Sequence, residues 1–488
     1  GECEGCTGEW KRLRVGVVKE VVETIADVSS GWGAATATPD GGRVWSAAIR
    51  STGAAAIRVR FGDFRLPLNM ELYLFNDSGD YVGPYVEDGP LGTGEFWSQA
   101  VHGDIAYLQL RRFGPEESGD RKVTAPVKLL GVGHVGSRFG SNWASTKTFC
   151  DYNASCIYNV SCIDVTGALP GGRTAVADAR NAVAHILFVE GSSMYACSGG
   201  LINNMAEDRM PYFLTAHHCL STDPVAATLE AYFNWTVECG AQCPEQWETP
   251  IGATSVLGAE VVETGVVGDY TLLRLTGETA PPGTTLLGWT SEPVAFSDGA
   301  LLYRISHPAG APQAYSEHQV DVDANTCLFW PRGSRIYSRD TVGATEGGSS
   351  GAPVVNEHGQ VVGQLSGACG LFAFLPCLSG LHATVDGAFA SYFDKVAPWL
   401  VPDPGCEDDA DGDGFIAERC GGDDCNDANF LINPGVDEVC DNGFDDNCDL
   451  AVDDDDPECA QCLPAGTPCT RSADCCSGWC RWFGRTCR

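Results

Sequence analysis

Cysteine placement constrains this chain more than any other feature. There are 24 cysteines in 488 residues, an even number and too many for a compartment that keeps thiols reduced, so the chain reads as exported and cross-linked. None falls between Cys6 and Cys150, ten run from Cys150 to Cys377, and twelve crowd between Cys406 and Cys487. A stretch without cysteine must hold itself with an ordinary core, and a short stretch dense in them need not. Four segments follow: 1–147, 148–403, 404–460 and 461–488.

Charge draws one of the same boundaries. The formal net charge is -35, and from Cys406 to Cys459 there are 20 acidic residues against the single Arg419. So acidic a chain repels phosphate, which argues against nucleic acid and anionic membranes as partners. No apolar run approaches the roughly 18 residues of a membrane helix. Gly1 to Cys6 lacks the basic-then-apolar pattern of a signal peptide, so the expectation is that any export signal has already been removed. With 44% hydrophobic residues, disorder is not expected.

The first segment alternates apolar and polar residues in short runs, as in Ala56–Phe61, Glu71–Phe75 and Ile105–Leu110, with turn residues at Asn76–Asp80 and Glu87–Pro90. This predicts an antiparallel β-sandwich. It carries no cluster of catalytic residue types.

The second segment carries the chemistry. His217-His218-Cys219 follows the apolar Tyr212-Phe213-Leu214, Gly268-Asp269-Tyr270 opens an apolar run, and Gly347-Gly348-Ser349-Ser350-Gly351 precedes Val354-Val355. A hydroxyl is a weak nucleophile at neutral pH; it needs an imidazole to take its proton and a carboxylate to hold that imidazole. The order His, Asp, Ser, at separations of 51 and 81 residues, suits a double β-barrel with its site between the barrels. Alone, a Gly-Ser turn is usually a loop and an Asp before a strand a turn residue; together, in this order, they point to catalysis.

From about Cys156 to Trp399 the chain resembles secreted bacterial trypsin-like serine proteases, closest to the lysyl endopeptidase family. The similar stretches include Ala196–Asn204, Tyr212–Cys219, Phe233-Asn234-Trp235, Asp269–Leu273, His307-Pro308 and Thr345–Pro353. The resemblance implies two six-stranded barrels, with His218 as base, Asp269 orienting it, Ser350 as nucleophile, and the N–H groups of Gly348 and Ser350 as oxyanion hole. His217 is then structural. It also implies disulfides Cys197–Cys219, Cys162–Cys239 and Cys156–Cys369, leaving Cys150, Cys243, Cys327 and Cys377 unassigned.

Two departures stand out. Trypsin has an Asp before the nucleophile that pairs with a new amino terminus on activation; here that place is Ser349, as in the lysyl family, so activation is expected to come from uncovering the cleft. Where the lysine-cleaving relatives carry an acid, the matching residue is Gly380, with Ala344 and Thr345 at the pocket base and Ser366 and Gly367 on its wall. An uncharged P1 residue is expected, with Glu346 nearby as the opening for a basic one. The first segment resembles the family's propeptide through Phe64–Pro67, Glu71–Asn76, Gly83-Pro84-Tyr85 and Gly94–Trp97, which implies an inhibitor in place, cut off between Arg138 and Cys150; a permanent accessory sandwich is the alternative. A helix over Asp386–Leu400, burying Phe389, Phe393, Val396 and Leu400, is expected to close the protease domain.

In the acidic segment, Asp409, Asp411 and Asp413 alternate so as to aim carboxylates at one hard cation, with the Phe415 carbonyl completing the turn. The twelfth loop position is Cys420, not Glu, which rules against an EF-hand. The pattern through Asp424-Cys425-Asn426-Asp427 and Asn433-Pro434-Gly435 resembles a metal-binding repeat of exported bacterial proteins, similar to thrombospondin calcium repeats, and implies structural Ca2+. The tail spacing Cys462, Cys469, Cys475-Cys476, Cys480, Cys487 resembles a cystine knot and implies Cys462–Cys476, Cys469–Cys480 and Cys475–Cys487.

The resulting reading is all-β: a sandwich propeptide, a chymotrypsin-like double barrel, a calcium-binding spacer and a knottin-like tail. It describes a secreted, monomeric serine endopeptidase acting on proteins or peptides, with no cofactor in catalysis. The rival is an inactive protease-like adhesive or binding protein.

Overall fold

The structure is a computed structural model. It describes residues 8–9, 12–25, 32–114, 127–136, 150, 153–164, 174–401 (without 207, 242, 244–253, 328, 371–372, 374 and 379), 409, 411–416, 422–436, 438–439, 444–449, 451–452 and 468. The tail cystine knot, the expected propeptide cut before Cys150 and most acidic-segment cysteines lie outside these residues.

After the short strand β1 (Gly8–Glu9), the first segment forms β2 (Leu13–Thr24), β3 (Ala34–Ala37), β4 (Arg43–Arg50), β5 (Ala54–Gly62), β6 (Met70–Phe75), β7 (Tyr81–Tyr85), β8 (Ile105–Arg112) and β9 (Lys128–Gly136). One antiparallel sheet runs β3-β4-β8-β6-β7 and the other contains β2-β9-β5. Alternation puts Leu72 and Leu74 of β6 and Ala106, Leu108 and Leu110 of β8 inward, where they meet Ile57, Val59 and Phe61 of β5. This is the expected sandwich.

The first barrel comprises β10 (Val183–Glu190), β11 (Ser193–Leu201), β12 (Tyr212–Ala216), β13 (Glu230–Phe233), β14 (Thr254–Leu257), β15 (Ala259–Gly265) and β16 (Tyr270–Leu275). Its order is β14-β13-β10-β11-β12-β16-β15, and β14 joins β15 through Gly258, so the ring returns on itself. The second comprises β17 (Leu301–Ser306), β18 (Ala314–Val320), β19 (Arg335–Val342), β20 (Pro353–Val355), β21 (Val361–Gly370) and β22 (His382–Ala388). It runs β21-β20-β17-β18-β19-β22 and closes through β21–β22. The chain is thus mostly β with a closed six-stranded barrel.

The expected helix begins later than its apolar spacing suggested. Asp386–Ala388 belong to β22, Phe389–Tyr392 form a 3-10 turn, and only Phe393–Leu400 is α-helix, here α1. Burial decides the difference: Asp386 is held inside the barrel by an ion pair with Arg304, both fully buried. Phe389, Phe393, Val396 and Leu400 are nonetheless buried together between the barrels.

Two disulfides stand as the resemblance implied, Cys197–Cys219 and Cys162–Cys239. The third is corrected. Cys156 pairs with Cys377, and Cys369 at the end of β21 pairs with Cys327; Cys150 pairs with Cys243. Cys369 sits buried beside Trp330 and Tyr337, a cluster that Cys327 shares and Cys156 does not.

The sandwich and first barrel are not separate bodies. Strand β2 pairs with β11, Val17 opposite Ser193 through Leu13 opposite Ala196, making one continuous sheet. Val15, Ala56, Trp97 and Val135 on the sandwich side share a buried cluster with Leu187, Val189, Met194 and Ala196 of the barrel. Across this seam Arg58 of β5 meets Glu230 of β13 at 3.4 Å, both fully buried. Arg58 donates to the Ser98 carbonyl at 2.8 Å and Glu230 accepts from the Ala100 N–H at 3.0 Å.

Candidate active site

His218 and Asp269 follow the ends of β12 and precede the start of β16, neighbouring strands that bring them together. His218 Nδ1 lies 2.8 Å from Asp269 Oδ2, and Asp269 Oδ1 accepts the His218 backbone N–H at 2.9 Å. The carboxylate thus fixes both ring and backbone. Asp269 is fully buried and has φ +55°, a conformation costly for a non-glycine residue and sustained only by its surroundings. Those surroundings are named: Gln364 Nε2 donates to the carbonyls of Gly268 and Asp269 at 2.9 and 3.0 Å, and Tyr392 hydroxyl holds Gln364. Gly387 is required beneath them, because a Cβ there would fall 1.8 Å from the Gly268 carbonyl oxygen. None of Gln364, Tyr392 or Gly387 was legible in the sequence as part of the site. His217 points elsewhere, with Nδ1 2.9 Å from the Thr264 hydroxyl, and burial lowers its pKa.

Ser350 arrives from the other barrel on the turn before β20. The Ser198 N–H donates to its carbonyl at 2.8 Å, and Cys219 Sγ lies 3.7 Å from that carbonyl and 3.9 Å from His218 Nε2. One sulfur therefore touches both the His218 ring and the Ser350 backbone. Gly348 takes φ +100°, where a Cβ would meet the His307 carbonyl oxygen at 2.8 Å. Ser198 hydroxyl locks this turn, donating to Gly348 O at 2.9 Å and accepting from His307 N at 3.0 Å. His307 stacks on Trp235, and burial pushes its pKa down to about 4, which keeps the ring neutral. Among the described residues, the N–H groups of Gly348 and Ser350 have no acceptor. Ser349 is buried with its hydroxyl 3.1 Å from that of Ser306.

The expected pocket residues are only partly gathered. Ala344 is buried and Thr345 half-buried, while Ser366 and Gly367 lie on β21. Gly380 stands on an exposed turn before β22, with open space around it. Paired to the wall instead are Val385, opposite Gly367, and Thr384, opposite Ala368. The Thr384 hydroxyl donates to Asp340 Oδ1 at 2.6 Å, which also faces His318 Nδ1 at 2.8 Å. Glu346 is engaged elsewhere: it accepts from Asn153 Nδ2 at 2.8 Å and from the Ala154 N–H at 3.2 Å.

In the acidic segment, Asp411 and Asp413 converge with Asp424, and Asp409 and Asp411 with Asp427; in each trio the facing oxygens lie within 4.8 Å of one another. Asp424 and Asp427 come from the next loop and were not among the expected ligands. Phe415 contributes its N–H, at 2.8 Å from Asp413 Oδ1, while its ring packs against Gly435. Among the described residues, Asp411 Oδ2, Asp413 Oδ2, Asp424 Oδ2 and Asn426 Oδ1 are buried and have no hydrogen-bond partner. Burial, aided by neighbouring carboxylates, pushes Asp411 up to about 6 and Asp424 up to about 7. Orphaned, converging oxygens of this kind fit a hard cation.

Residues 150–371 match the family model for the lysyl endopeptidase C-terminal domain, and residues 424–454 match one for a metal-binding motif. A lysyl endopeptidase of Pseudomonas aeruginosa is 27% identical over 349 residues, 68% of this chain and 69% of that one. Among solved structures, the active form of the M. tuberculosis Rv3671c protease gives a TM-score of 0.32 at 17% identity, covering 52% of this chain and 93% of that one. A serine endoprotease from Yersinia pestis gives 0.32 at 15%, covering 46% and 64%. The chain is similar to lysyl endopeptidases over residues 150–371 and to a metal-binding motif over residues 424–454, and these similarities support a serine endopeptidase.

Proposed function

We propose that the protein is a secreted endopeptidase working through Ser350, His218 and Asp269. The observation carrying this is the His218–Asp269 pair at 2.8 Å, set beside Ser350 by the Cys197–Cys219 disulfide. Ser350 Oγ attacks the peptide carbonyl while His218 takes its proton. The developing oxyanion is held by the Gly348 and Ser350 N–H groups, a role whose loss costs about 10² to 10³ in rate per donor. His218 then protonates the leaving amine, Ser350 keeps the acyl group as an ester, and a water activated by His218 hydrolyses it.

Ser366 and Gly367 form one wall of the P1 pocket and Ala344 its base, a lining that favours an uncharged side chain. A second reading has a specific support: Asp340 lies directly behind Thr384 and would favour a basic P1 residue, as the name of the Pseudomonas relative suggests. The segment 1–147 acts as inhibitor in place, and Asp411, Asp413 and Asp424, with Asp409 and Asp427, hold a structural Ca2+ that neutralises their charge.

The test is a mixed peptide library cleaved by the released protease and by its Ser350→Ala variant. Cleavage that vanishes with Ser350 and with a fluorophosphonate is expected, and its P1 profile decides between the two pocket readings. Undiminished cleavage by Ser350→Ala would refute the mechanism.

A further inference from the structure

The chain's own amino-terminal strand lies along the edge that borders the nucleophile. Strand β1 is antiparallel to β21, with Gly8 opposite Cys369 and Glu9 opposite Ala368. Four residues on, Leu13 is opposite Ala196 of β11. Both edges flank Ser350: Leu365 of β21 accepts the Gly351 N–H at 2.8 Å, and the Ser198 N–H of β11 donates to the Ser350 carbonyl at 2.8 Å. Between the two anchors Arg12 is fixed three ways. Its Nη1 donates to the Cys219 carbonyl at 3.1 Å, its guanidinium lies 4.1 Å over the Tyr195 ring, and it pairs with Glu190. Cys219 is the residue after His218. Trp10 and Lys11 lie outside the described residues. Glu9 on the edge of β21 and Arg12 beside Cys219 therefore stand at the two edges that flank Ser350, one on each barrel.

We propose that β1 together with Arg12 acts as an intramolecular pseudosubstrate, with β1 seated on the edge of β21 as a peptide substrate would be, and that this amino-terminal element, rather than the body of the sandwich, blocks the site. This rests on the serine-protease reading. Strand addition suits the task because main-chain hydrogen bonds supply affinity without requiring a particular side chain. It also separates two jobs within the first segment: β2 to β9 dock on the first barrel, and β1 with Arg12 occupies the cleft.

The experiment compares initial rates of fluorophosphonate labelling for the full chain, a chain beginning at Leu13, and the double variant Gly8→Pro/Glu9→Pro, which keeps full length but lacks the strand's two N–H donors. Labelling at least about tenfold faster in both variants is expected, and a synthetic peptide of residues 1–14 added to the shortened chain should slow it again where a scrambled peptide does not. Equal rates in all three chains, or no competition by the peptide, would overturn the proposal. Absence of labelling in every chain, in material that melts cooperatively, would instead remove the serine-protease reading beneath it.

Discussion

Replacing Arg58 by Met tests whether the seam between sandwich and barrel is structural or incidental. Arg58 and Glu230 are both fully buried, and the methionine keeps most of the apolar stem while removing the cation, its hydrogen bond to Ser98 O and its contact with Leu187 O. What remains is a buried carboxylate with the Ala100 N–H and Tyr232 for company. Breaking a buried pair from one side costs about 3–5 kcal/mol, and Arg58→Met is expected to fall in that range at pH 8. The cost must depend on pH. Burial already raises the Glu230 pKa above its usual 4.5, against the lowering influence of Arg58, so the folded state holds the proton more firmly than the unfolded one. Removing Arg58 raises it further. The variant then loses stability relative to the parent as pH rises through the interval between the parent's raised Glu230 pKa and its own higher one, by at most about 1.4 kcal/mol per unit, and recovers part of the deficit at pH 5. Urea unfolding followed by tryptophan fluorescence, in a Ser350→Ala background to prevent self-digestion, measures this at pH 5 and pH 8. Arg58→Met/Glu230→Gln should regain much of the loss. A cost below about 1 kcal/mol at pH 8, or one equal at both pH values, would refute the reasoning.

Asp269→Asn should lower kcat by about 10⁴ with KM little changed, since the wrong tautomer of His218 faces the nucleophile; steady-state kinetics on the released protease checks this, and a loss under tenfold would detach Asp269 from the chemistry. Asp424→Asn should weaken Ca2+ binding to the full chain at least tenfold by calorimetry while leaving the rate of peptide hydrolysis within a factor of about two, because Asp424 and Asp427 line a cleft with α1 and none of the residues lining it is His218, Asp269 or Ser350. Unchanged Ca2+ binding would exclude the second loop from the site.

The local parts of the site were readable because each depends on a few neighbouring residues. His218 is pinned by Cys219, Ser350 by the glycines around it, and the sandwich strands by their alternation. What escaped were features set by contacts distant in sequence that no motif marks. Nothing in Leu13–Thr24 announces that β11 is its neighbour, since a half-buried strand reads alike whichever edge it joins. The resemblance gave Cys369 the wrong partner, and nothing in the sequence itself says which of two thiols lies nearer in space. Asp386 broke an apolar helical pattern only through Arg304, 82 positions away. Asp424 joined Asp411 and Asp413 because a loop returned, which alternation within one run does not show.

The sheet shared by β2 and β11 gives cleavage and release different meanings. Cutting the chain before Cys150 severs a covalent tether, but it breaks none of the pairs from Val17–Ser193 to Leu13–Ala196 and leaves the Arg58–Glu230 contact in place. The two parts pass from one molecule to a complex, whose survival depends on concentration instead of connectivity. A nicked chain run on a denaturing gel would look mature while its native counterpart still migrated whole. Under the proposed cut, liberation would wait on dilution or on digestion of the sandwich itself, and each freed enzyme would hasten that digestion for its neighbours.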